Sequence, residues 1–432
     1  YSVLPKRVIH WSRQRICLRR ISERSGGKMS EKVYIIGIGM DGKNTLTAEA
    51  SEKISAADIL IGAKRMVAPF EDSGKRIYVT YDSGEICRLI GEAPDKRIAV
   101  LMSGDCCFYS GADKLLKMLT DREAEIISGI SSPVYFCGKL GLDMRGMKLI
   151  SLHGAESSIV RQVSANEKCF FLLGGKITAA EICRRLCEYG MSGVSVYIGE
   201  DLGYETQKIS KGIASDFTDI STGSLAVMIT VNNEYERCVR SCIPDYEFIR
   251  GNVPMTKSEV RCLAVSKLNI SADDICWDVG CGTGSVSVEM ALKCSCGKVY
   301  SVDMKPKAAE LTDANRKKFR CDNIIPLCGK APDILDELPA PDKVFIGGSC
   351  GSMEGIISAA LAKNPDALFV VTAVSLETLE DARNAAEKFG LSAEIIQTAV
   401  TRTRKIGGHT MLAAENPVYI ISMKKGESRC GE

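Results

Sequence analysis

Histidine is scarce in this sequence of 432 residues: His10, His153 and His409 are the whole complement. The 19 cysteines include no Cys-x-x-Cys pair, so a metal site has no ligand spacing to rest on and none is expected. No apolar run reaches the roughly 18 residues that a membrane-spanning helix needs, and no secretory signal pattern is present. Neither sign of charge dominates. The 56 basic residues exceed the 54 acidic ones by only +2, which excludes a dedicated binder of nucleic acid or of anionic membranes, since such a protein carries a basic stripe or domain.

What is present is an ordinary globular composition, 45% hydrophobic and 25% charged, in a chain longer than one core usually serves. Two domains are expected. The cysteines lie within apolar runs such as Ile275-Cys276-Trp277 and Arg261-Cys262-Leu263, where a thiol acts as a small hydrophobe. They are read as reduced, in a cytoplasmic setting. Residues 1–28 stand apart, with Lys6, Arg7, Arg13, Arg15, Arg19, Arg20, Arg24 and Lys28 facing only Glu23. This basic stretch reads as an extension ahead of a start at Met29, outside the fold, in preference to a transit-like segment.

From Pro254 onward strands and helices alternate with short connections, the pattern of a doubly wound parallel sheet. Strands are expected at 275–280, 298–304, 323–328, 343–347, 367–374, 393–401 and 417–424, with helices at 306–320 and 376–389. Six would be parallel and the last antiparallel, with 402–416 a loop. The first strand runs into Asp278-Val279-Gly280-Cys281-Gly282-Thr283-Gly284 and a helix near Ser285. Alternate glycines let backbone approach a ligand closely at a helix N-terminus. The spacing is Gly-x-Gly-x-Gly, tighter than the Gly-x-Gly-x-x-Gly that cradles a pyrophosphate, and it suits S-adenosylmethionine (SAM). Asp303 ends the second strand, where an acid accepts hydrogen bonds from ribose hydroxyls. Thr256-Lys257-Ser258-Glu259 reads as a capping box beside the pocket mouth. Gly329-Lys330-Ala331-Pro332 would set Ala331 flat beside an adenine, and Gly347-Gly348-Ser349 ends the fourth strand at the same edge.

Residues 32–231 form a second α/β region with its own glycine turn, Gly37-Ile38-Gly39-Met40-Asp41-Gly42. That turn fits a dinucleotide site only weakly, because the strand near Ile59–Gly62 ends in Ala63-Lys64 and not in an acid. Turns at Ser103–Phe108, Ser128–Pro133 and Gly199–Gly203 each follow an apolar run and would gather at one edge as a cleft.

Both halves, in this order, resemble the fused precorrin-6Y C5,15-methyltransferase (decarboxylating) family of cobalamin biosynthesis, the CobL or CbiE–CbiT type. The N-terminal likeness rests on Gly37–Gly42, Leu101-Met102-Ser103-Gly104-Asp105, Gly129-Ile130-Ser131-Ser132 and Ser151-Leu152-His153-Gly154. The C-terminal likeness rests on Pro254-Met255-Thr256-Lys257, Asp278–Gly284, Phe345–Ser349 and Gly407-Gly408-His409-Thr410. One departure is Cys106-Cys107, where the family commonly has proline.

The resemblance implies a tetrapyrrole methylase fold of two α/β lobes over 29–232, a linker at 233–245 and a Rossmann-like class I SAM methyltransferase domain over 246–432. It implies methylation of carbons 5 and 15 of precorrin-6, with or without cobalt, and decarboxylation of the ring C acetate. SAM would be held by Thr256, Gly280, Cys281, Gly282, Thr283, Gly284, Asp303 and Ala331 in the C-terminal domain. In the N-terminal domain it would be held by Gly104, Asp105, Ser131, Ser132 and Ala226. The macrocycle's carboxylates call for cations, and Lys257, Arg261, Arg402, Arg404 and Lys405 are candidates beside Gly348. His409, in a glycine-flanked loop, is the candidate proton donor or acceptor. The partner is a small-molecule tetrapyrrole, neither nucleic acid nor membrane, and assembly into a homo-oligomer stays open.

Three rival functions compete with this one. A dehydrogenase lacks the acid after its second strand. A non-catalytic tetrapyrrole-binding N-terminal module is an alternative that sequence leaves standing. An RNA or protein methyltransferase would need a basic face that the balanced charge does not supply.

Overall fold

A computed structural model describes residues 31–120, 122–152, 158–174 and 177–426. The basic extension at 1–28 and His153 with Gly154 therefore lie outside the described residues. The chain divides into two compact units between Ile130 and Ser131.

The first unit holds one parallel sheet. Its strands are β1 (Val33–Gly37), β2 (Ile59–Gly62), β3 (Arg76–Val79), β4 (Ile98–Met102) and β5 (Ala124–Ile127), ordered β3-β2-β4-β1-β5. β1, β2 and β4 are near-continuous apolar runs because helices cover both faces of the sheet.

The second unit contains two sheets. One comprises β6 (Lys148–Ser151), β7 (Lys168–Leu172), β8 (Ser195–Glu200), β9 (Lys208–Ile213) and β10 (Ala226–Val231), ordered β6-β7-β10-β8-β9 and antiparallel except for β6 with β7. The other comprises β11 (Ile275–Val279), β12 (Lys298–Asp303), β13 (Ile324–Cys328), β14 (Lys343–Ile346), β15 (Leu368–Ala373), β16 (Leu391–Thr398) and a final strand, Val418–Lys425. The order is β13-β12-β11-β14-β15, then the final strand, then β16. The final strand is antiparallel to both neighbours, so the expected six parallel strands and one reversed strand are what forms. β11 is buried on both faces, with Trp277 and Asp278 wholly enclosed.

Three local expectations are corrected. The stretch 402–416 is no plain loop: β17 (Thr401–Ile406) and β18 (His409–Ala414) pair as an exposed hairpin turned at Gly407-Gly408, and the final strand is thus β19. No capping box opens the helix Ser258–Lys267, because Lys257 and not Thr256 occupies the N-cap, and it makes no side-chain cap bond. Glu259 instead accepts from Ser258 Oγ and Arg402. Nor are all cysteines reduced: Cys242 and Cys262 form a disulfide, their Cα atoms 4.8 Å apart, because the segment between them doubles back onto its own helix. Eight of the free cysteines, among them Cys106, Cys276 and Cys321, are buried, and these do act as small hydrophobes. Among the described residues no helix is long and apolar enough to cross a membrane.

Candidate cofactor cleft of the C-terminal domain

The carboxyl ends of β11, β12, β13 and β14 converge on one cleft, about 950 Å³ out to its open mouth. This is where ligands bind in open α/β sheets. Its floor is the start of the glycine loop, Gly280, Cys281 and Gly282. Gly280 has φ +78°, and a Cβ there would sit 2.7 Å from both the N and the O of Gly348. Gly282 has φ +57°, and its Cβ would meet the carbonyl oxygen of Pro254 at 2.7 Å. Side chains at these two points would force the walls apart.

Hydrogen bonds fix the loop. Gly280 and Cys281 donate their N–H groups to Val302 O at 2.8 and 3.2 Å, and Gly282 N–H donates to Asp303 Oδ2 at 3.0 Å. Asp303 Oδ1 accepts from Lys305 N–H at 2.9 Å. Each carboxylate oxygen has one partner and room for another, so Asp303 faces the cleft with acceptor capacity left.

Beneath the loop lies a buried polar chain. Ser301 Oγ donates to Ser287 Oγ at 2.8 Å, and Ser287 Oγ in turn donates to Asp278 Oδ2. Burial, outweighing the Ser287 hydrogen bond and helped by the charge of Asp303, pushes the Asp278 carboxyl up to about 7. Asn315, also buried, was not singled out from the sequence. Its Nδ2 donates to Thr283 O (2.9 Å) and Ile249 O (3.0 Å), and its Oδ1 accepts from Ile249 N–H (2.8 Å), tying the loop to the segment before the cleft's lip. An asparagine in a charged helix reads as surface, and no periodicity betrays this one.

Of the residues expected to hold a cofactor, Thr256, Gly280, Cys281, Gly282, Asp303 and Ala331 line the cleft, joined by Gly348. Thr283 and Gly284 do not. Thr283 is enclosed, and Gly284 packs against Thr312. Sequence reading missed Met255, Met304, Lys305, Lys330 and Cys350, which also line it. Lys330 adjoins Ala331 and Lys305 lies two positions after Asp303, which was the available signal.

All five of the expected cationic contacts lie outside this lining. Arg261 is wholly buried, with its guanidinium engaged by Glu289 (2.7 Å), Asp245 (3.2 Å), Thr256 O (2.6 Å) and Ile243 O, over the ring of Phe248. This corrects its assignment to substrate: every side-chain donor group is spent inside the fold, and it supports the lip at Thr256. Arg402 ties the hairpin to Glu259 and to Glu415. Lys257 reaches only to 4.0 Å from Asp245, and Arg404, Lys405 and His409 sit exposed on the hairpin.

In the first unit the turn Gly37–Gly42 closes on itself. Thr45 Oγ1 accepts from Met40 N–H (2.8 Å) and Asp41 N–H (3.3 Å). Burial would raise the Asp41 carboxyl, but hydrogen bonds from the Thr45 hydroxyl and the amides of Asn44, Lys43 and Thr45 bring it to about 2. Those amides are therefore committed locally, which leaves no pyrophosphate cradle and removes the dehydrogenase reading. Gly104 exchanges N–H···O bonds with Gly39 (2.9 and 3.1 Å), and Asp105 accepts from Cys107 N–H (2.8 Å) and Gly129 N–H (2.9 Å). Cys106, at the departure from the family pattern, turns into the core, where burial pushes its thiol up to about 12. In the second unit Ser131 precedes the helix Ser132–Leu140 as its N-cap, and Ala226 opens β10.

Comparison with known proteins agrees with this architecture. Residues 247–425 match the model of the precorrin methyltransferase domain, and residues 32–217 match that of the tetrapyrrole (corrin/porphyrin) methylases. A probable cobalt-precorrin-6B C(15)-methyltransferase (decarboxylating) of Pyrobaculum calidifontis is 44% identical over 183 residues, 42% of this chain and 94% of the relative. Its counterpart in Pyrobaculum aerophilum is 42% identical over 184 residues, again 42% of this chain and 94% of the relative. A crystal structure of precorrin-6Y C5,15-methyltransferase from Geobacter metallireducens is 36% identical, covering 43% of this chain and 97% of that one, with a TM-score of 0.41. The chain belongs to the precorrin methyltransferase family, with a tetrapyrrole methylase part preceding the precorrin methyltransferase domain.

Proposed function

We propose that the C-terminal cleft binds SAM, and that this chain is a cytoplasmic enzyme of cobalamin biosynthesis that methylates precorrin-6 or its cobalt form at carbons 5 and 15 and decarboxylates the ring C acetate. The observation that carries the reading is Asp303, held at the cleft floor by Gly282 N–H with acceptor capacity left over. The archaeal relatives are named for the C15 methylation and the decarboxylation, and the match to the precorrin methyltransferase domain, residues 247–425, spans this cleft. The tetrapyrrole methylase part takes the C5 step, and Gly104, Asp105, Ser131, Ser132 and Ala226 are its candidate cofactor contacts.

The cleft residues fit SAM. Gly280 and Gly282 let bare backbone form the floor where its walls close in, Asp303 would accept hydrogen bonds from ribose hydroxyls, and Ala331 and Thr256 would flank the adenine and the lip. Bound SAM supplies an electrophilic methyl on sulfonium. The chain's contribution is alignment and exclusion of water, since an electron-rich ring carbon needs no protein nucleophile. Lys305 and Lys330 at the cleft, with Lys257, Arg404 and Lys405 beyond it, pair with carboxylates of the macrocycle.

The test is mass spectrometry of precorrin-6, with and without cobalt, after incubation with SAM and the full chain or its Asp303→Ala variant. The full chain should add two methyl groups and remove carbon dioxide, and the variant should add only one and leave the acetate. Addition of a single methyl by the unaltered chain would make the N-terminal part a binding module, and an unchanged substrate would end the corrinoid reading.

A further inference from the structure

Within the second unit, the methyltransferase domain carries a surface that the cleft does not use. Asp322 lies between the helix Pro306–Lys318 and β13, and its carboxylate accepts the backbone N–H groups of Val160 at 2.9 Å and Arg161 at 3.0 Å. Those amides open the helix Ile159–Ala165 beside β7, whose own N-cap, Ser158, makes no side-chain cap bond. The first turn of a helix leaves its amides without partners, and an anion is favoured there. Here the acid comes from the other sheet's domain, more than 160 positions along the chain.

Further contacts cross the same seam. Gln162 Nε2 donates to Ser295 O at 3.1 Å, Lys317 pairs with Glu188 at 3.0 Å, and the Arg316 guanidinium lies 5.9 Å from the centre of the Tyr189 ring. Arg161 itself is buried and keeps its guanidinium on its own side, with Glu236 (2.8 Å) and Ser164 (3.1 Å), so only its backbone meets Asp322. Arg316 and Lys317 belong to the helix whose inner residues, Thr312 and Asn315, hold the glycine loop.

We infer that the face formed by Ser295, Lys317 and Asp322 is a docking surface for the second α/β lobe of a tetrapyrrole methylase, able to hold the two parts together when the chain between them is cut. The partner it fits is a lobe presenting an uncapped helix N-terminus next to a carboxylate positioned as Glu188 is. The Cys242–Cys262 disulfide lies wholly on the C-terminal side of Cys238 and does not bridge the seam.

The test uses the full chain with a protease recognition sequence inserted between Cys238 and Val239, both exposed, and cut after folding. Gel filtration at about 1 µM should show the cut protein eluting as one species, which requires a dissociation constant below that concentration. Asp322→Ala strands two desolvated amides and should weaken association on the order of 100-fold, so that the fragments separate. Lys317→Glu should weaken it by a few fold at most, and adding Glu188→Lys should restore it, a rescue that a mere folding defect would not give. Separate elution of the unaltered fragments, or an Asp322→Ala protein that stays associated as before, overturns the inference. Should Asp322→Ala fail to fold, the charge exchange decides, and absence of rescue overturns it equally.

Discussion

Replacing Asp278 by asparagine should make the protein more stable at high pH and leave it nearly unchanged at low pH. The carboxyl is fully enclosed, one oxygen accepts from Ser287 Oγ, and the other has no hydrogen-bond partner. Burial raises it from 3.8 to about 7. Between those values the folded protein holds a proton that the unfolded chain has released, so stability falls as pH rises through the window and levels off above it. The window spans about three pH units, and at 1.36 kcal/mol per unit the ceiling is about 4 kcal/mol. Asparagine has the shape of the protonated acid and never ionises. The assay is urea unfolding followed by the fluorescence of Trp277, the buried neighbour of Asp278, at pH 5, 6, 7 and 8 for both proteins. Comparing variant with parent at each pH cancels the other titrating groups. A stability difference that stays constant from pH 5 to pH 8 would refute the reasoning.

Other substitutions test the cleft. Gly280→Ala drives a methyl into the backbone of Gly348 at a left-handed φ, and should cost about 2–4 kcal/mol in unfolding free energy and abolish SAM binding by calorimetry. Asp303→Ala should weaken SAM at the C-terminal site on the order of 100-fold, with a circular dichroism spectrum like the parent's. Arg261→Met leaves Glu289 buried without its cation, and should destabilise by about 3–5 kcal/mol in urea while the folded fraction keeps its KM for the tetrapyrrole. A large rise in KM at unchanged stability would return Arg261 to the substrate.

The glycine loop and the strand-end acid were legible because both are local: the turn needs glycine where its neighbours crowd it, and the acid follows a continuous apolar strand. Arg261 was misjudged for the opposite reason. Glu289 is 28 positions away, and only the packing of two helices shows that this charge is spent inside. The hairpin 401–414 reads as a loop in sequence because Thr401-Arg402-Thr403-Arg404 has no apolar face, although the Gly407-Gly408 turn is there to be read. Asp322 gave no signal at all, since the amides it caps lie in another sheet's layer.

The place of β19 bears on how the chain is made. Residues 418–425 sit between β15 and β16, so β16 has no hydrogen-bonded neighbour until those residues have also left the ribosome. During that interval Leu391–Thr398, with its adjacent Ile395 and Ile396, is an open strand edge in a nascent chain. A chain stopped near Glu415 would leave β15 and β16 with the gap between them unfilled. Such a product is one for a chaperone or a protease to meet, even though all the glycines of the cleft would already be in it.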